Sequence, residues 1–351
     1  MIERSWMRFL NSLDDNLKSK IQNRKWAGIV AVVITFAICL ELATAQQPKK
    51  IPRIGNLGAG VGSGSSSSPR AEAFRQGLRE LGYVEGKNIV IEWRSSEGKL
   101  DRLPALAAEL VRLKVEVIVT GGGGSTRAAK QATSTIPIVM QQDNDPVGNG
   151  FVASLARPGG NITGLATLAP ELTGKRLELL KEVVPKLSRV AVPGTSTIAG
   201  HAQTLREVEL AAGALGVKLQ YLDVLDPKDI ETSFRAASKG RADAVLTLTS
   251  IILLNHRTQV AELAVKSRLP AIYPQTEYTE AGGLMYYGAN ILDLYRRAAT
   301  YVDKILKGAK PAELPVEQPI KFEFIINLKA ANQIGLMIPP NVLARADKVI
   351  R

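Results

Sequence analysis

Two runs rich in hydroxyl groups and glycine carry the clearest chemical possibilities in this sequence. The first, Gly58-Ala-Gly60-Val-Gly62-Ser-Gly64-Ser-Ser-Ser-Ser68, follows an apolar run from Ile51 to Leu57 and leads into a helical pattern over residues 70–81. The second, Thr120-Gly-Gly-Gly-Gly-Ser-Thr126, lies between an apolar run over 115–120 and a helical pattern over 125–132. Where a strand passes through a glycine loop into a helix, unpaired backbone N–H groups and hydroxyls converge, which suits a carboxylate or another anion. Ser66, Ser67, Thr120, Gly121, Ser125 and Thr126 are therefore candidate ligand contacts, with Ser125 also a candidate N-cap. A merely flexible loop is the alternative for the first run. No register of that run gives G-x-G-x-x-G, since the sixth position falls on Ser63, Ser65 or Ser67, which argues against a dinucleotide loop.

A third polar stretch, Asp143-Asn144-Asp145-Pro146, ends the apolar run Ile136–Met140. Asp143 or Asp145 would turn a carboxylate toward a ligand ammonium. Alternatively, Asp145 caps a helix expected over 147–155, with Pro146 in its first turn. Asn161 and Thr163 then precede Gly164, and short polar side chains before a glycine suit a strand that must bend as it crosses between domains. Further along, strand ends offer Thr195 in PGTS, Thr249 in TLTS, and Glu277 with Tyr278 in QTEY. Tyr278, Tyr286 and Tyr287 present aromatic faces that would either stack on an apolar or aromatic ligand or pack in a core.

The catalytic inventory is thin. His201 and His256 are the two histidines, and neither has an acidic or nucleophilic neighbour at a telling spacing. H-E-x-x-H, G-x-S-x-G and the phosphate-loop motif are all absent, and Gly174-Lys175 lacks the upstream glycine because Ala169 stands there. The single cysteine, Cys39, lies in the N-terminal apolar segment, so no cysteine nucleophile or zinc cluster is expected downstream. No catalytic residue, metal or cofactor is expected, and the reading is of a binding protein rather than an enzyme.

The elements that must position these loops alternate in a regular way. After the unit formed by 51–57 and 70–81, strands over 89–93, 115–120 and 136–140 are each followed by a helical pattern, over 100–113, 125–132 and 147–155. After Gly164 the alternation restarts. Helices over 173–184, 199–215, 228–237 and 257–267 lead to strands over 189–192, 218–224, 244–248 and 271–273. Continuously apolar strands separated by helices predict parallel sheets covered on both faces, and two such series predict a bilobal α/β protein. Trailing units, 284–287 with 291–306 and 322–326 with 327–334, are expected to pass back across a hinge. The expected division is a first lobe of 46–164 plus 284–316 and a second of 165–283 plus 317–351. Ligands of parallel α/β sheets lie beyond the carboxyl ends of the strands, which is where the candidate loops fall.

The N-terminus carries Arg24 and Lys25, then an uncharged stretch from Trp26 to Leu40, then Ala43-Thr44-Ala45. This reads as a secretory signal over residues 1–45 with a cleavage site before Gln46, an uncleaved anchor being the alternative. Removing that segment takes away six Lys/Arg and four Asp/Glu, lowering the net charge from +12 to +10. The remaining basic residues are scattered over helices rather than gathered in one block, so a solvated basic surface is expected and nucleic acid is not.

Four passages carry a family likeness: FRQGLRELGYVEGKNIVIEWRSSEGKLDRLPALAAELV (74–111), TIPIVMQQDNDPVGNGFVASLARPGGNITG (135–164), RLPAIYPQTEYTEAGGLMYYG (268–288) and FEFIINLKAANQIGLMIPPNVLARAD (322–347). In order and spacing they resemble ABC-transporter substrate-binding proteins of the tryptophan/tyrosine-uptake type. The resemblance implies a type I periplasmic-binding-protein fold, in which two Rossmann-like lobes joined by a three-segment hinge close on a small molecule. It also implies periplasmic location, delivery of the ligand to a membrane permease, and a monomer. Carried over by position, its first-lobe contacts fall on Ser66, Ser67, Thr120 to Thr126, Asp145, Asn161 and Thr163, and its second-lobe contacts near Thr195, Thr249 and Glu277. On this reading hydroxyls and backbone N–H groups hold a carboxylate, Asp145 or Glu277 an ammonium, and a tyrosine the side chain. A periplasmic receptor that reports its ligand to a membrane sensor is the competing function.

Overall fold

The computed structural model describes residues 51–59, 66–198 and 200–351. The expected signal segment and Gly60 to Ser65 of the first glycine loop lie outside the described residues. The chain from Pro52 to Arg351 forms one compact unit, and it contains two sheets.

The first sheet has five strands in the order β2-β1-β3-β4-β5, all parallel. They are β1 (Arg53–Gly58), β2 (Val90–Ser95), β3 (Val117–Gly121), β4 (Ile138–Gln142) and β5 (Ile162–Gly164). Helices α1 (Pro69–Glu80), α2 (Leu103–Arg112) and α3 (Gly123–Ala132) follow β1, β2 and β3. Ser68 caps α1, its hydroxyl accepting the Ala71 N–H at 3.1 Å with Pro69 at the first position, a start that leaves few backbone donors unsatisfied. One side of the sheet packs Phe74, Leu78 and Val119 and the other packs Leu103, Leu110 and Met140.

The second sheet has seven strands in the order β12-β11-β10-β9-β8-β6-β7, parallel except for the β10–β11 pair. These are β6 (Arg189–Gly194), β7 (Lys218–Asp223), β8 (Ala244–Leu246), β9 (Ala271–Tyr273), β10 (Met285–Ala289), β11 (Phe322–Asn327) and β12 (Lys348–Ile350). Around them lie α4 (Ala169–Val183), α5 (His201–Leu215), α6 (Asp229–Lys239), α7 (Ile251–Asn255), α8 (Arg257–Lys266), α9 (Glu277–Glu280), α11 (Leu328–Ile334) and α12 (Pro340–Leu343). The helix between β10 and β11, α10 (Ile291–Leu306), packs on α1 and β4 and so belongs to the first lobe. Gly77 permits that α1–α10 contact, because a side chain there would overlap the carbonyl oxygen of Arg296.

The two-lobed, mainly parallel α/β architecture read from the sequence is present, with two differences. Residues 284–289 were expected in the first lobe, but β10 hydrogen-bonds to β9 and β11 and is part of the second sheet. The helix expected over 147–155 is not formed; that stretch is a series of turns. Asp145 Oδ1 accepts the Gly148 N–H at 2.8 Å and Gly150 adopts φ 67°, so a self-bonded turn replaces the helical ladder.

Three crossings join the lobes side by side. Leu165 bridges Glu317, the Ala166 N–H donates to the Glu317 carbonyl at 2.9 Å, and the Asn290 N–H donates to the Lys321 carbonyl at 3.0 Å. Gly164 begins the first crossing with φ 131°, and a side chain there would overlap the backbone of Met140.

Candidate functional site

Strands β1 and β4, the start of α3 and the loop after β4 carry several buried polar groups. Asn56, Ser125, Gln141 and Asp143 are all buried there, yet Asn56 Nδ2, Ser125 Oγ, both amide atoms of Gln141 and Asp143 Oδ2 have no hydrogen-bond partner among the described residues. Buried polar atoms are normally paired, so these atoms have bonding capacity that the described residues leave unused. Asp143 Oδ1 accepts from the Asp145 N–H at 3.1 Å and from Asn149 Nδ2 at 2.8 Å, while Oδ2 faces Gly123, where a Cβ would stand 3.2 Å away. Burial raises the Asp143 carboxyl to about 6, although the bonds from Asn149 and the Asp145 backbone pull the other way.

Thr120 and Thr126 hold this region together. Their hydroxyls lie 2.8 Å apart, and the Thr126 hydroxyl also reaches the Gly122 carbonyl at 3.1 Å, tying the end of β3 to the start of α3. Gly121 makes room for Tyr295 of α10, whose hydroxyl oxygen would be 2.8 Å from a Cβ at that position.

The second lobe's border of the cleft follows β8 and β9, with Thr249, Pro274 and Gln275, and further buried polar groups lie behind it. Thr247 Oγ, Gln275 Oε1 and the hydroxyls of Tyr273 and Tyr278 have no partner among the described residues. The two tyrosine rings stack at 4.7 Å with 7° between their planes. Thr195 donates to the Val224 carbonyl at 2.8 Å and meets Ser250 Oγ at 2.7 Å, while Ser250 caps α7. These bonds fix the strand ends rather than leaving hydroxyls free.

The lobes meet in this structure. Arg70, in the first turn of α1, pairs with Glu277 at the start of α9, and its guanidinium carbon lies 5.8 Å from the centre of the Tyr295 ring. Asn149 and Asp145 approach the second lobe at Gly200, where a Cβ would lie 3.5 Å from Asn149 Oδ1 and 3.6 Å from Asp145 Cβ. A narrow cleft of about 20 Å³ is bordered by Gln142, Asn144, Thr167, Arg176, Thr249 and Gln275. Arg176 is 3 % exposed; its Nε donates to the Tyr287 carbonyl at 2.7 Å and its Nη1 to Thr173 Oγ at 3.3 Å. Burial lowers this guanidinium to about 10, with only the nearby Tyr286 and Tyr287 opposing the shift.

Of the residues singled out in the sequence, the structure brings Thr249 to the border of the cleft, while Asp143 and Ser125 are buried and Thr120 and Thr126 bond to each other. Others lie elsewhere. Asn161 donates to the Ile136 carbonyl at 2.8 Å at the amino end of β4, away from the cleft, because it precedes β5. Thr163 donates to the Leu314 carbonyl at 2.6 Å. Ser66 and Ser67 are exposed ahead of α1, and the Ser66 carbonyl accepts from Arg75. The Asp145 carboxylate closes its own turn, and Glu277 is engaged by Arg70 instead of standing free for an ammonium. Tyr287 packs its ring against Phe322 and Phe324, and Tyr278 is fully buried in the second lobe's core. Among the described residues no group of three or more His, Cys, Asp or Glu side chains gathers to hold a metal ion, and no helix is long and apolar enough to cross a membrane.

Gln142, Gln275 and Arg176 border the cleft and were not among the residues singled out in the sequence. The signal for Arg176 was present: Leu172, Leu180 and Val183 share its face of α4, so a charge stands inside an apolar stripe.

A family model for ABC transporter substrate binding proteins matches residues 63–350. The chain belongs to that family. A tyrosine-binding protein of Clostridioides difficile is 26 % identical over 261 residues, which is 73 % of each chain. Among solved structures, a conserved domain protein from Vibrio cholerae superposes with a TM-score of 0.79 at 29 % identity, covering 86 % of this chain and all (100 %) of that one. An ABC domain from Streptococcus pneumonia in complex with L-Trp superposes with a TM-score of 0.79 at 25 % identity, covering 85 % of this chain and 99 % of that one. The fold is that of the type I periplasmic binding proteins, and the family's members are binding proteins rather than enzymes.

Proposed function

We propose that this chain is an exported receptor that captures a small amino-acid-like or aromatic carboxylated solute between its lobes and hands it to an ABC-importer permease. The observation that carries this reading is a cleft bordered by polar side chains of both lobes, Gln142 and Asn144 from the first and Thr249 and Gln275 from the second, with the buried Gln275 oxygen lacking a partner among the described residues. A ligand enclosed by closure would bond to side chains of both lobes at once. The tyrosine-binding relative and the relative in complex with L-Trp support an amino acid as the class to test first. Asp143, with one oxygen unpaired, is the best placed carboxylate for a ligand donor; the export signal is read from residues 1–45.

Thermal-shift and calorimetric titration of the purified protein against the common amino acids and aromatic acids test the reading. A true ligand raises the melting temperature with concentration, since it binds the folded state alone. A complete panel without a shift or a heat signal would contradict it.

A further inference from the structure

Arg176 is the buried cation of the cleft that lacks a counter-charge. It sits on the face of α4 that turns toward the sheet, with Leu172, Leu180 and Val183. Two bonds orient its guanidinium, one to the Tyr287 carbonyl of β10 and one to Thr173 of its own helix. No ion pair reaches it among the described residues; Glu277 is held by Arg70, and Asp143 is bonded to Asn149. Of its five N–H groups, two are thus used within the protein. A buried, unpaired guanidinium is expensive to keep, and such a charge persists where something supplies the opposite one.

The surroundings point to what supplies it. Arg176 borders the cleft next to Thr167, Thr249 and Gln275, so donors from the crossing and from the second lobe converge on the same volume. A planar fork with flanking hydroxyl and amide donors matches a carboxylate better than a neutral group or a cation.

We infer that Arg176 is the anion-holding group of the cleft and restricts it to solutes bearing a carboxylate. This rests on the receptor reading above and moves the acid group from the glycine loops of the first lobe to the base of the cleft beside the crossings. Because the Tyr287 carbonyl belongs to the strand that leads into the second crossing, a carboxylate on Arg176 also ties ligand to hinge.

The test compares matched pairs on the native protein: L-tryptophan with tryptamine, L-tyrosine with tyramine, and indole-3-propionate as the acid without an ammonium. Calorimetry should show each acid binding on the order of 100-fold more tightly than its amine, the loss expected when a charged hydrogen-bonding partner is removed. Arg176→Gln should abolish that preference, and Arg176→Lys, which keeps the charge without the fork, should retain part of it. Should Arg176→Gln fail to fold, Arg176→Lys carries the comparison, and an acid preference in that variant equal to the parent's overturns the inference. Equal binding of acid and amine, or an unchanged preference in a folded Arg176→Gln, would overturn the inference while leaving the receptor reading intact. Absence of binding by these compounds and by the whole amino-acid panel overturns the receptor reading, and the inference with it.

Discussion

Replacing Glu277 with glutamine removes the charge that links the lobes through Arg70. The side chains are 11 % and 26 % exposed for Arg70 and Glu277, so the pair lies between a surface bridge, worth about 0.2–1 kcal/mol, and a fully buried one, whose breakage costs roughly 3–5 kcal/mol. Solvent at Glu277 discounts the larger figure, leaving an expected loss of about 1–2 kcal/mol. That loss falls on the closed arrangement alone, because only there do the two groups meet. At about 1.4 kcal/mol per tenfold, ligand affinity should drop roughly 5- to 30-fold through a lower closed population. Calorimetry gives the affinity, and small-angle scattering of the ligand-free variant should show a larger radius than the parent. A double-mutant cycle with Arg70→Gln separates the pair's coupling from any direct ligand contact by Glu277. An affinity within twofold of the parent, with unchanged scattering, would refute the role of this pair in closure.

Asp143 gives a pH prediction. Its folded carboxyl titrates at about 6 against an ordinary 3.8. The proton is therefore held more tightly in the folded state, so this residue's stabilising contribution is complete below about pH 4 and is lost as pH rises through 6. Asp143→Asn should flatten that dependence and stabilise the ligand-free protein above pH 7 by up to the order of 3 kcal/mol, read from urea midpoints at several pH values. An unaltered pH profile would show that Asp143 is not buried in this way. Gly77→Ala should destabilise by about 1–3 kcal/mol in urea unfolding, because the added methyl meets the backbone of α10 rather than a yielding side chain. Asp145→Ala should cost roughly 1 kcal/mol by releasing the Gly148 N–H, and should leave ligand affinity within about twofold if its role is confined to the turn.

Much of the architecture was legible because strand and helix periods are strong here. The helix over 291–306 and the strand over 271–273 read true to the residue, since apolar spacing, Asn290 at the helix start and the proline before Ala271 all agree. The stretch 147–155 misled because Pro146 and an acidic cap look like a helix start, while Gly148 and Gly150 allow Asp145 to fold back on its own turn. Strand β10 was given to the wrong lobe because sequence order does not say on which side of a crossing a short apolar run pairs. For the cleft, sequence pattern found strand-end loops but not which side chains face the ligand. Thr120 and Thr126 turned out to bond to each other, and Asn161 lies at the far end of its sheet. Arg176 was hidden among the apolar positions of its helix, where a polar residue reads as an interruption of a core rather than as a cleft group.

A crystal structure of the protein saturated with its tightest-binding amino acid or aromatic acid tests the central claim most directly. The account predicts the solute enclosed between the lobes, flanked by Gln142 and Asn144 on one side and Thr249 and Gln275 on the other, with its carboxylate on Arg176. A solute bound to one lobe only, or on the outer surface with this cleft unoccupied, would contradict it.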